Sequence, residues 1–171
     1  MESRLKVVKY PNDVLTTKCQ SYDFAVDLNF QASGMKLHET LDAMVNIMDS
    51  ENGMGLAANQ VGIPYRFFIM RDLKGKIWEF INPVITESEE ECIMLNEGCL
   101  SAPGAFVQIP RRKSVTVKAQ DRNGEEFTVI ALDLEAVCVQ HEIDHLDGIF
   151  YLDKVNRQQR RNAYRILGIK K

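Results

Sequence analysis

The stretch from Asp133 to Leu146 limits the possible folds of this 171-residue chain more than any other segment. Asp133 is a favourable N-cap residue, and Gly148 lies where glycine commonly follows a helix C-terminus. Between them, residues recur at the i, i+3, i+4, i+7 and i+11 positions of one helix face: Leu134, Val137, Cys138, His141 and His145. We therefore predict a helix whose largely apolar face packs into the core and carries two of the chain's three histidines.

The segments around this helix predict an α+β fold. Apolar residues at helical spacing, with Gly53 as a stop, predict a first helix at about residues 33–50. Residues 1–30 are expected to be mainly extended, and a basic C-terminal helix is predicted at about 154–167. Short β-rich runs predict strands at 66–70, 77–81, 114–119 and 126–132, with a hairpin turn at Asn123-Gly124. Because helices and strands do not alternate regularly, we expect short mixed or antiparallel sheets packed around the central helix.

Length and composition favour one globular domain, residues 1–171, that includes the basic helix. Apolar residues make up 45% of the chain and charged residues 26%, which is average for a globular protein. No apolar run approaches the ~20 residues that cross a bilayer, and the charged N-terminus is unlike a secretory signal. We therefore expect a cytoplasmic protein without membrane association.

The four cysteines do not suggest a disulfide framework. They are Cys19, Cys92, Cys99 and Cys138. In a reducing compartment such residues are core residues, metal ligands or reactive thiols. Since no pair has Cys-x-x-Cys spacing, zinc ribbons and zinc knuckles are disfavoured.

Charge is distributed unevenly along the chain, although the net charge is only −3. All 24 acidic residues lie at or before Asp153, whereas 7 of the 21 basic residues follow it. A basic tail of this kind is compatible with a nucleic-acid contact, and equally with an ordinary solvated helix face.

The central helix carries the pattern of a metal site. His141 and His145 are four residues apart, so their Cβ atoms should lie ~5–6 Å apart and both rings can reach one ion. Glu142 lies about 100° round the helix from His141, where a base that acts on water beside the metal is expected. The alternative is a helix with two partly buried histidines and an unrelated glutamate, but unligated imidazoles on an apolar face would be costly to desolvate. His38 is interpreted as an ordinary surface or boundary residue.

A catalytic metal usually has three protein ligands, so a third must come from elsewhere among the Cys, Asp, Glu and His residues. The segment 97–104 is the best source, because glycine and a Pro-Gly turn flank Cys99 and let the backbone bend. A lone cysteine in a loop is, however, often a small core residue. In a further unusual segment, 53–60, two glycines allow close backbone approach and Gln60 offers an amide donor.

Together these three segments resemble the peptide deformylase family. Its signatures are a Gly-x-Gly-Leu-Ala-Ala-x-Gln loop, a Glu-Gly-Cys-Leu-Ser strand and a Gln-His-Glu-x-Asp-His-Leu-x-Gly helix. They match residues 53–60, 97–101 and 140–148 in the family's order. The resemblance extends from Tyr10-Pro11 to the last helix and so covers nearly the whole chain.

The resemblance implies a role for each matching residue. The metal ligands would be Cys99, His141 and His145, with Glu142 as the catalytic acid and base. Gln60 and the backbone N–H of Leu100 would hold the oxyanion, and Arg111 would pair with Asp144 to support the metal-binding helix. Pocket residues for the substrate methionine would be Met54, Gly55, Leu95, Val137 and Cys138, although each is also compatible with a plain core position.

The implied activity is metal-dependent hydrolysis of a linear amide. The formyl group would be removed from the N-terminal formylmethionine of newly made polypeptides, with release of formate. The resemblance implies Fe²⁺ as the native ion, with Zn²⁺, Ni²⁺ or Co²⁺ able to take its place. It also implies that a monomer contacts the ribosome through the helix at 154–167. One position departs from the pattern of some relatives, which have an arginine where this chain has Phe106.

Two other functions compete with this one. A zincin-type endopeptidase shares the His-Glu-x-x-His helix but usually takes its third metal ligand from a residue further along the chain. In this chain no histidine follows His145, and the only acidic residues after it are Asp147 and Asp153. A non-catalytic RNA-binding module with a structural metal would normally need four protein ligands. A fourth ligand is not evident, and Glu142 would have no function there.

Overall fold

The structure is a computed structural model that describes residues 5–25 and 34–170. Its three α-helices are α1 (Leu37–Ser50), α2 (Asp133–Leu146) and α3 (Arg157–Ile166). Its seven strands are β1 (Gly55–Ala57), β2 (Phe67–Arg71), β3 (Ile77–Ser88), β4 (Cys92–Cys99), β5 (Ala102–Arg112), β6 (Ser114–Gln120) and β7 (Glu126–Leu132). Single 3₁₀ turns occur at Asp13–Thr16, Ala58–Val61 and Tyr151–Lys154. Within these described residues, every helix is too short or too polar to cross a membrane.

Two antiparallel sheets surround α2, and the predicted α+β class is confirmed. Five strands form one sheet in the order β1-β2-β3-β6-β7, and β4 and β5 form a separate two-stranded sheet. The helix α2 contacts strands of both sheets. Because it lies between them, its side chains can meet residues from either sheet in one place.

Apolar packing fixes α2 against the five-stranded sheet. Ala136, Val139 and Ile143 of the helix belong to the same buried cluster as Phe68 and Phe80 of the sheet. The two phenyl rings stack with centroids 4.5 Å apart. The two-stranded sheet has its own buried cluster with the chain that follows α2: Ala105, Val107, Ile109, Phe150, Tyr151 and Ala163.

Local capping explains why the first helix begins later than predicted. Of the predicted range 33–50, residue 33 lies outside the described residues and residues 34–36 are not helical. The helix begins at Leu37 because Glu39 reaches back to accept a hydrogen bond from the backbone N–H of Lys36, at 3.2 Å. This hydrogen bond to the N-cap residue fixes the first turn.

The C-terminal helix is also shorter than the predicted 154–167. A 3₁₀ turn ends at Lys154, and α3 begins at Arg157 after the N-cap Asn156. The side chain of Asn156 accepts a hydrogen bond from the backbone N–H of Gln159 at 2.9 Å. A further 3₁₀ turn at Asp13–Thr16 interrupts the segment 1–30 that was predicted to be extended, of which 1–4 and 26–30 lie outside the described residues.

The central helix α2 has the predicted length, with two local differences. Leu132, and not Asp133, occupies the cap position, and Asp133 is the first helical residue. On the predicted core-facing stripe, four residues are buried but Leu134 is 40% exposed. Leu134 lies in the first turn of α2, where it lines an open cavity instead of the core.

The β4–β5 hairpin was not predicted from the residue pattern, although the family signature at 97–101 implies a strand there. Its inward positions include Glu97 and Arg111, both buried, so the apolar alternation typical of a strand is interrupted. Gly98 and Pro110 interrupt it further. The side chains of Glu97 and Arg111 form an ion pair inside the protein, and this pairing makes their burial possible.

Gly148 just after α2 provides a test of how this helix is positioned. Its φ is +73°, and a Cβ there would lie 2.8 Å from the backbone of Thr17 and Lys18. Gly148→Ala should therefore lower the free energy of unfolding by ~1–3 kcal/mol more than Gly75→Ala, measured by chemical denaturation. Gly75 is a matched control because its φ is +88° and no atom lies within 4 Å. Equal losses would contradict close packing at Gly148.

Candidate active site

Two elements bring three metal-ligating side chains together. Cys99 lies at the end of β4, and His141 and His145 lie on α2. Their candidate ligand atoms all lie within 4.8 Å of one another. The Cys99 Sγ atom is 3.2 Å from Nε2 of His145. Bonds of ~2.0–2.3 Å to one tetrahedral ion would hold such atoms roughly 3.3–3.8 Å apart, so the three residues fit a single divalent metal.

The surroundings of His141 also fit a metal. Nδ1 of His141 lies 2.6 Å from Oε1 of Glu97, which leaves Nε2 of His141 for the ion. A carboxylate on the outer nitrogen is the usual support of a metal-bound histidine. Nδ1 of His145 is buried and has no hydrogen-bond partner among the described residues.

Burial alone would lower the pKa of both imidazoles. For His141, contacts with Cys99 and Glu97 outweigh burial and raise the pKa well above its usual value. For His145, burial and the nearby positive charge of His141 act together and hold the pKa well below its usual value. Metal binding requires the ligating nitrogen of each ring to be deprotonated.

A buried ion network fixes His141 from behind. The Arg111 guanidinium donates to Glu97 at 2.6 and 2.9 Å and to Asp144 at 2.5 Å, so the expected contact with Asp144 is present. Lys154 donates to Asp144 from outside at 2.7 Å. Burial would raise the pKa of Glu97, but hydrogen bonds from His141 and Arg111 outweigh it and lower the pKa to about 2. Glu97 therefore stays ionised.

Glu142 lies beside the metal-ligating group, on the cavity side of α2. It is 3% exposed, and its Oε2 has no hydrogen-bond partner among the described residues. Burial is the main cause that raises the pKa of Glu142 to about 7. A divalent cation nearby would oppose this shift, because it stabilises the ionised carboxylate.

The backbone of Gly55 approaches this carboxylate closely. A Cβ on Gly55 would lie 2.5 Å from Oε1 of Glu142 and 2.9 Å from Sγ of Cys138. A side chain at this position would therefore displace Glu142 or Cys138, which explains one glycine of the segment 53–60.

Two adjacent amides join the elements that carry the metal ligands. Gln60 accepts from the backbone N–H of Ala57 at 2.9 Å and directs its Nε2 towards Sγ of Cys99 at 3.3 Å. Asn59 donates to the backbone carbonyl of His145 at 2.7 Å. Sequence reasoning had identified Gln60 but missed Asn59, which occupies the variable position of its motif.

An open cavity of about 420 Å³ leads to the metal-ligating group. Four of the five predicted pocket residues line it: Met54, Gly55, Val137 and Cys138. The fifth, Leu95, is not part of the lining; it is half-buried on β4, where it pairs with Ile109 of β5. Residues that were not predicted as pocket residues also line the cavity, among them Glu51, Asn52, Asn96, Pro103, Phe106 and Leu134.

The remaining predicted residues lie near the site or outside it. Leu100 lines the cavity next to Cys99, and its carbonyl accepts from Lys9 at 2.8 Å. His38 is exposed and contacts the carbonyl of Arg122 at 2.9 Å, as expected for a surface residue. The cysteines are free thiols. Glu97 was missed as a support for His141, although it begins the motif that contains Cys99.

Three convergent ligands, an adjacent carboxylate and an apolar cavity define the class of single-ion metallohydrolases. The model of the family described as polypeptide deformylase matches residues 4–161. A peptide deformylase of Thermodesulfovibrio yellowstonii is 40% identical over 160 residues, 91% of this chain and 92% of that protein. One of Borreliella burgdorferi is 37% identical over 150 residues, 87% of this chain and 86% of that protein.

Solved structures agree with this match. A peptide deformylase from Synechococcus elongatus in complex with actinonin aligns with a TM-score of 0.88 and 32% identity, over 99% of this chain and 88% of that one. A plant peptide deformylase aligns with a TM-score of 0.85 and 31% identity, over 98% and 89%. The chain belongs to the peptide deformylase family, which consists of metal-dependent hydrolases that remove an N-formyl group. The endopeptidase alternative receives no support.

The ion network predicts the effect of removing its central cation. Arg111→Met should lower the free energy of unfolding by ~3–5 kcal/mol, because Glu97 and Asp144 lose the guanidinium that pairs with both, and Glu97 stays buried and ionised. Arg71→Met is the matched control, since Arg71 pairs with Asp49 at the surface and should lose less than ~1 kcal/mol. Chemical denaturation of both variants measures the difference, and equal losses would contradict the buried role of Arg111.

Proposed function

We propose that this enzyme removes the formyl group from the N-terminal formylmethionine of newly made polypeptides and releases formate. The observation that carries the proposal is the group Cys99, His141 and His145 with Glu142 beside it at an apolar cavity. Family membership supports the same reaction. The reaction is the hydrolysis of a linear amide during N-terminal methionine processing.

We assign the metal to Cys99, His141 and His145. When bound, a divalent ion would act as a Lewis acid that polarises the formyl carbonyl and makes water more acidic. We propose Fe²⁺ as the native ion, with Zn²⁺, Ni²⁺ or Co²⁺ as alternatives, because one thiolate and two imidazoles suit several of these metals. Metal analysis after anaerobic purification tests this choice.

Glu142 is proposed as the acid and base. Its Oε2 has no hydrogen-bond partner among the described residues and is therefore available to accept a proton from water. The same carboxyl group can then pass that proton to the leaving amine. A carboxyl group whose pKa lies near the working pH is suited to both transfers, and burial shifts Glu142 in that direction.

Gln60 and the backbone N–H of Leu100 are proposed as donors to the oxyanion. Gln60 is 1% exposed, and its amide is oriented by contacts with Ala57, Cys99 and Ser101. An amide held in place before the reaction stabilises developing charge without reorganising. Loss of one such donor typically lowers the rate by ~10²–10³.

The walls of the cavity support a preference for methionine. Met54, Val137 and Cys138 offer apolar or weakly polar surface beside Glu142, and the backbone of Gly55 packs against that carboxylate. An unbranched thioether side chain fits an apolar pocket of irregular shape. A close fit round the reacting carbon would admit a formyl group and exclude the larger acetyl group.

The basic helix α3 is proposed to contact the ribosome. Arg157, Arg161 and Arg165 are exposed and recur every four residues, so they form one stripe, whereas Ala163 is buried on the other side. Two further basic residues act within the protein: Arg160 donates to the carbonyl of Leu152, and Lys154 pairs with Asp144. Three arginines on one face match the spaced negative charges of ribosomal RNA.

We further propose that the chain acts as one domain, 1–171, and as a monomer in the cytoplasm. The cavity and the metal-ligating group are complete within one chain. Ala163 of α3 belongs to the same apolar cluster as residues of β5, and Tyr164 packs against that cluster. This packing supports the assignment of α3 to the same domain. The proposed substrates are newly made polypeptides that emerge from ribosomes, which supports a location in the cytoplasm.

The central test is a formate-release assay with a formyl-Met dipeptide under anaerobic conditions. Glu142→Ala should keep its metal but lose ~10²–10⁴ in turnover, because no other group at the site replaces the proton acceptor. Glu135→Ala on the same helix is the control and should retain turnover, since Glu135 lies outside the cavity lining and accepts from the backbone of Leu73. Full activity of Glu142→Ala would contradict the assignment.

Two controls separate the alternatives in the same assay. Cys99→Ala should lose bound metal, whereas replacement of a cysteine that is not a metal ligand should leave the metal bound. Acetylated and unformylated peptides should not react, whereas cleavage of internal peptide bonds would favour an endopeptidase.

The ribosome contact is tested by neutralising the arginine stripe. Arg157→Gln, Arg161→Gln and Arg165→Gln combined should weaken cosedimentation with ribosomes and reduce its dependence on salt, because phosphate contacts are lost. Formate release from a dipeptide should not change. Truncation at residue 153 is less suitable, because it also removes the buried Ala163.

A triple variant of equal charge serves as the control for this experiment. Lys74→Gln, Lys76→Gln and Lys118→Gln combined change the net charge equally but leave α3 intact. Equal weakening in both triple variants would indicate a general charge effect and count against docking through α3.

A further inference from the structure

Asn59 is a buried amide in the 3₁₀ turn Ala58–Val61, between β1 and β2. It is 0% exposed, and its Nδ2 donates to the backbone carbonyls of His145 at 2.7 Å and of Val14 at 3.3 Å. Because carbonyl oxygens only accept hydrogen bonds, the amino end of the amide must face them. The orientation of Asn59 is therefore fixed by two segments that lie far from it in the chain.

The carbonyl of His145 lies in the last turn of α2. Carbonyl groups in this turn have no N–H donor four residues further along the same helix. The N–H of Gly148 approaches the His145 carbonyl at 3.1 Å, and Asn59 supplies a shorter hydrogen bond from outside the helix. Asn59 thus holds the end of α2 at the residue that carries a candidate metal ligand.

The two candidate histidine ligands are held in different ways. Nδ1 of His141 lies 2.6 Å from Oε1 of Glu97, so a carboxylate orients that ring. Nδ1 of His145 has no hydrogen-bond partner among the described residues, and its ring packs against Phe150 with centroids 5.9 Å apart. For His145 the polar restraint therefore acts on the backbone, and Asn59 supplies it.

The next residue of the same turn contacts another candidate ligand. Gln60 directs its Nε2 towards Sγ of Cys99 at 3.3 Å and towards Oγ of Ser101 at 3.2 Å. One short turn thus contacts Cys99 of β4 and His145 of α2, whose Sγ and Nε2 atoms are 3.2 Å apart. Because these two ligands belong to different elements, a segment that contacts both can set their separation.

We propose that Asn59 is a positioning residue for the metal site. It holds the carbonyl of His145 while Gln60 contacts Cys99, and so keeps the thiolate and the imidazole at the separation that one divalent ion requires. The inference rests on the assignment of the metal to Cys99, His141 and His145 in the proposed function. Asn59 lies outside the cavity lining, so its contribution acts through the metal ligands and not through the substrate.

Loss of the Asn59 amide should weaken metal binding. Removal of a hydrogen bond that orients a metal ligand typically lowers metal affinity ~10–100-fold. Asn59→Ala should therefore bind Co²⁺ ~10–100-fold more weakly than the unaltered enzyme, measured by competition with a chelator of known affinity. The visible absorption bands of the Co²⁺ form should also change, because they depend on the geometry of the ligands around the ion.

Asn82→Ala is the matched control for the loss of a structural amide. Nδ2 of Asn82 also donates twice, to the carbonyl of Tyr22 at 2.8 Å and to Oε1 of Gln120 at 3.0 Å, but Asn82 lies on β3 outside the cavity lining. This variant should lose stability in chemical denaturation and still bind Co²⁺ with the affinity and absorption of the unaltered enzyme. If Asn59→Ala does not fold, Asn59→Ser takes its place, since its side chain is polar but too short to reach both carbonyls.

The outcomes distinguish this inference from the proposed function. If the unaltered enzyme did not bind Co²⁺, the metal assignment itself would fail. If it bound Co²⁺ and the Asn59 variant matched it in affinity and absorption, the positioning role would be excluded while the metal assignment stood. Equal weakening in the Asn59 and Asn82 variants would also overturn the positioning role, since a general loss of stability would then explain the effect.

Discussion

A buried arginine between two carboxylates holds the metal-ligating elements together. Through Glu97 it orients His141, and through Asp144 it holds the helix that carries both histidines against the β4–β5 hairpin. Charges in the interior are costly unless each has a partner, so the network is stable only as a whole. Metal-ligand geometry thus depends on ion pairs behind the ligands as much as on the ligands themselves.

The central helix could be predicted well because its signals are local. Periodicity, an end signal at Gly148 and two histidines four residues apart specified α2, and the three candidate ligands do converge. The hairpin could not be predicted, since its inward Glu97 and Arg111 look like surface residues until their ion pair is known. Helix starts at Leu37 and Arg157 depend on caps that periodicity does not specify.

Contacts between distant segments were the hardest to predict. The hydrogen bond from Asn59 to the His145 carbonyl joins residues 86 positions apart, and no spacing rule indicates it. Leu95 lies outside the cavity lining for a related reason. Its strand pairs with β5, where Leu95 is opposite Ile109, and this pairing was not predicted. Motif matching located the neighbourhood of the site but not which side chains face it.

The close approach of Gly55 to Glu142 has an evolutionary consequence. No residue with a side chain can occupy position 55 without displacing the carboxylate or Cys138, so the inner end of the cavity is closed to variation there. Phe106 and Leu134 are exposed and tolerate replacement more easily. Substitutions at the mouth of the cavity can therefore change its outer wall while the position of Glu142 stays the same.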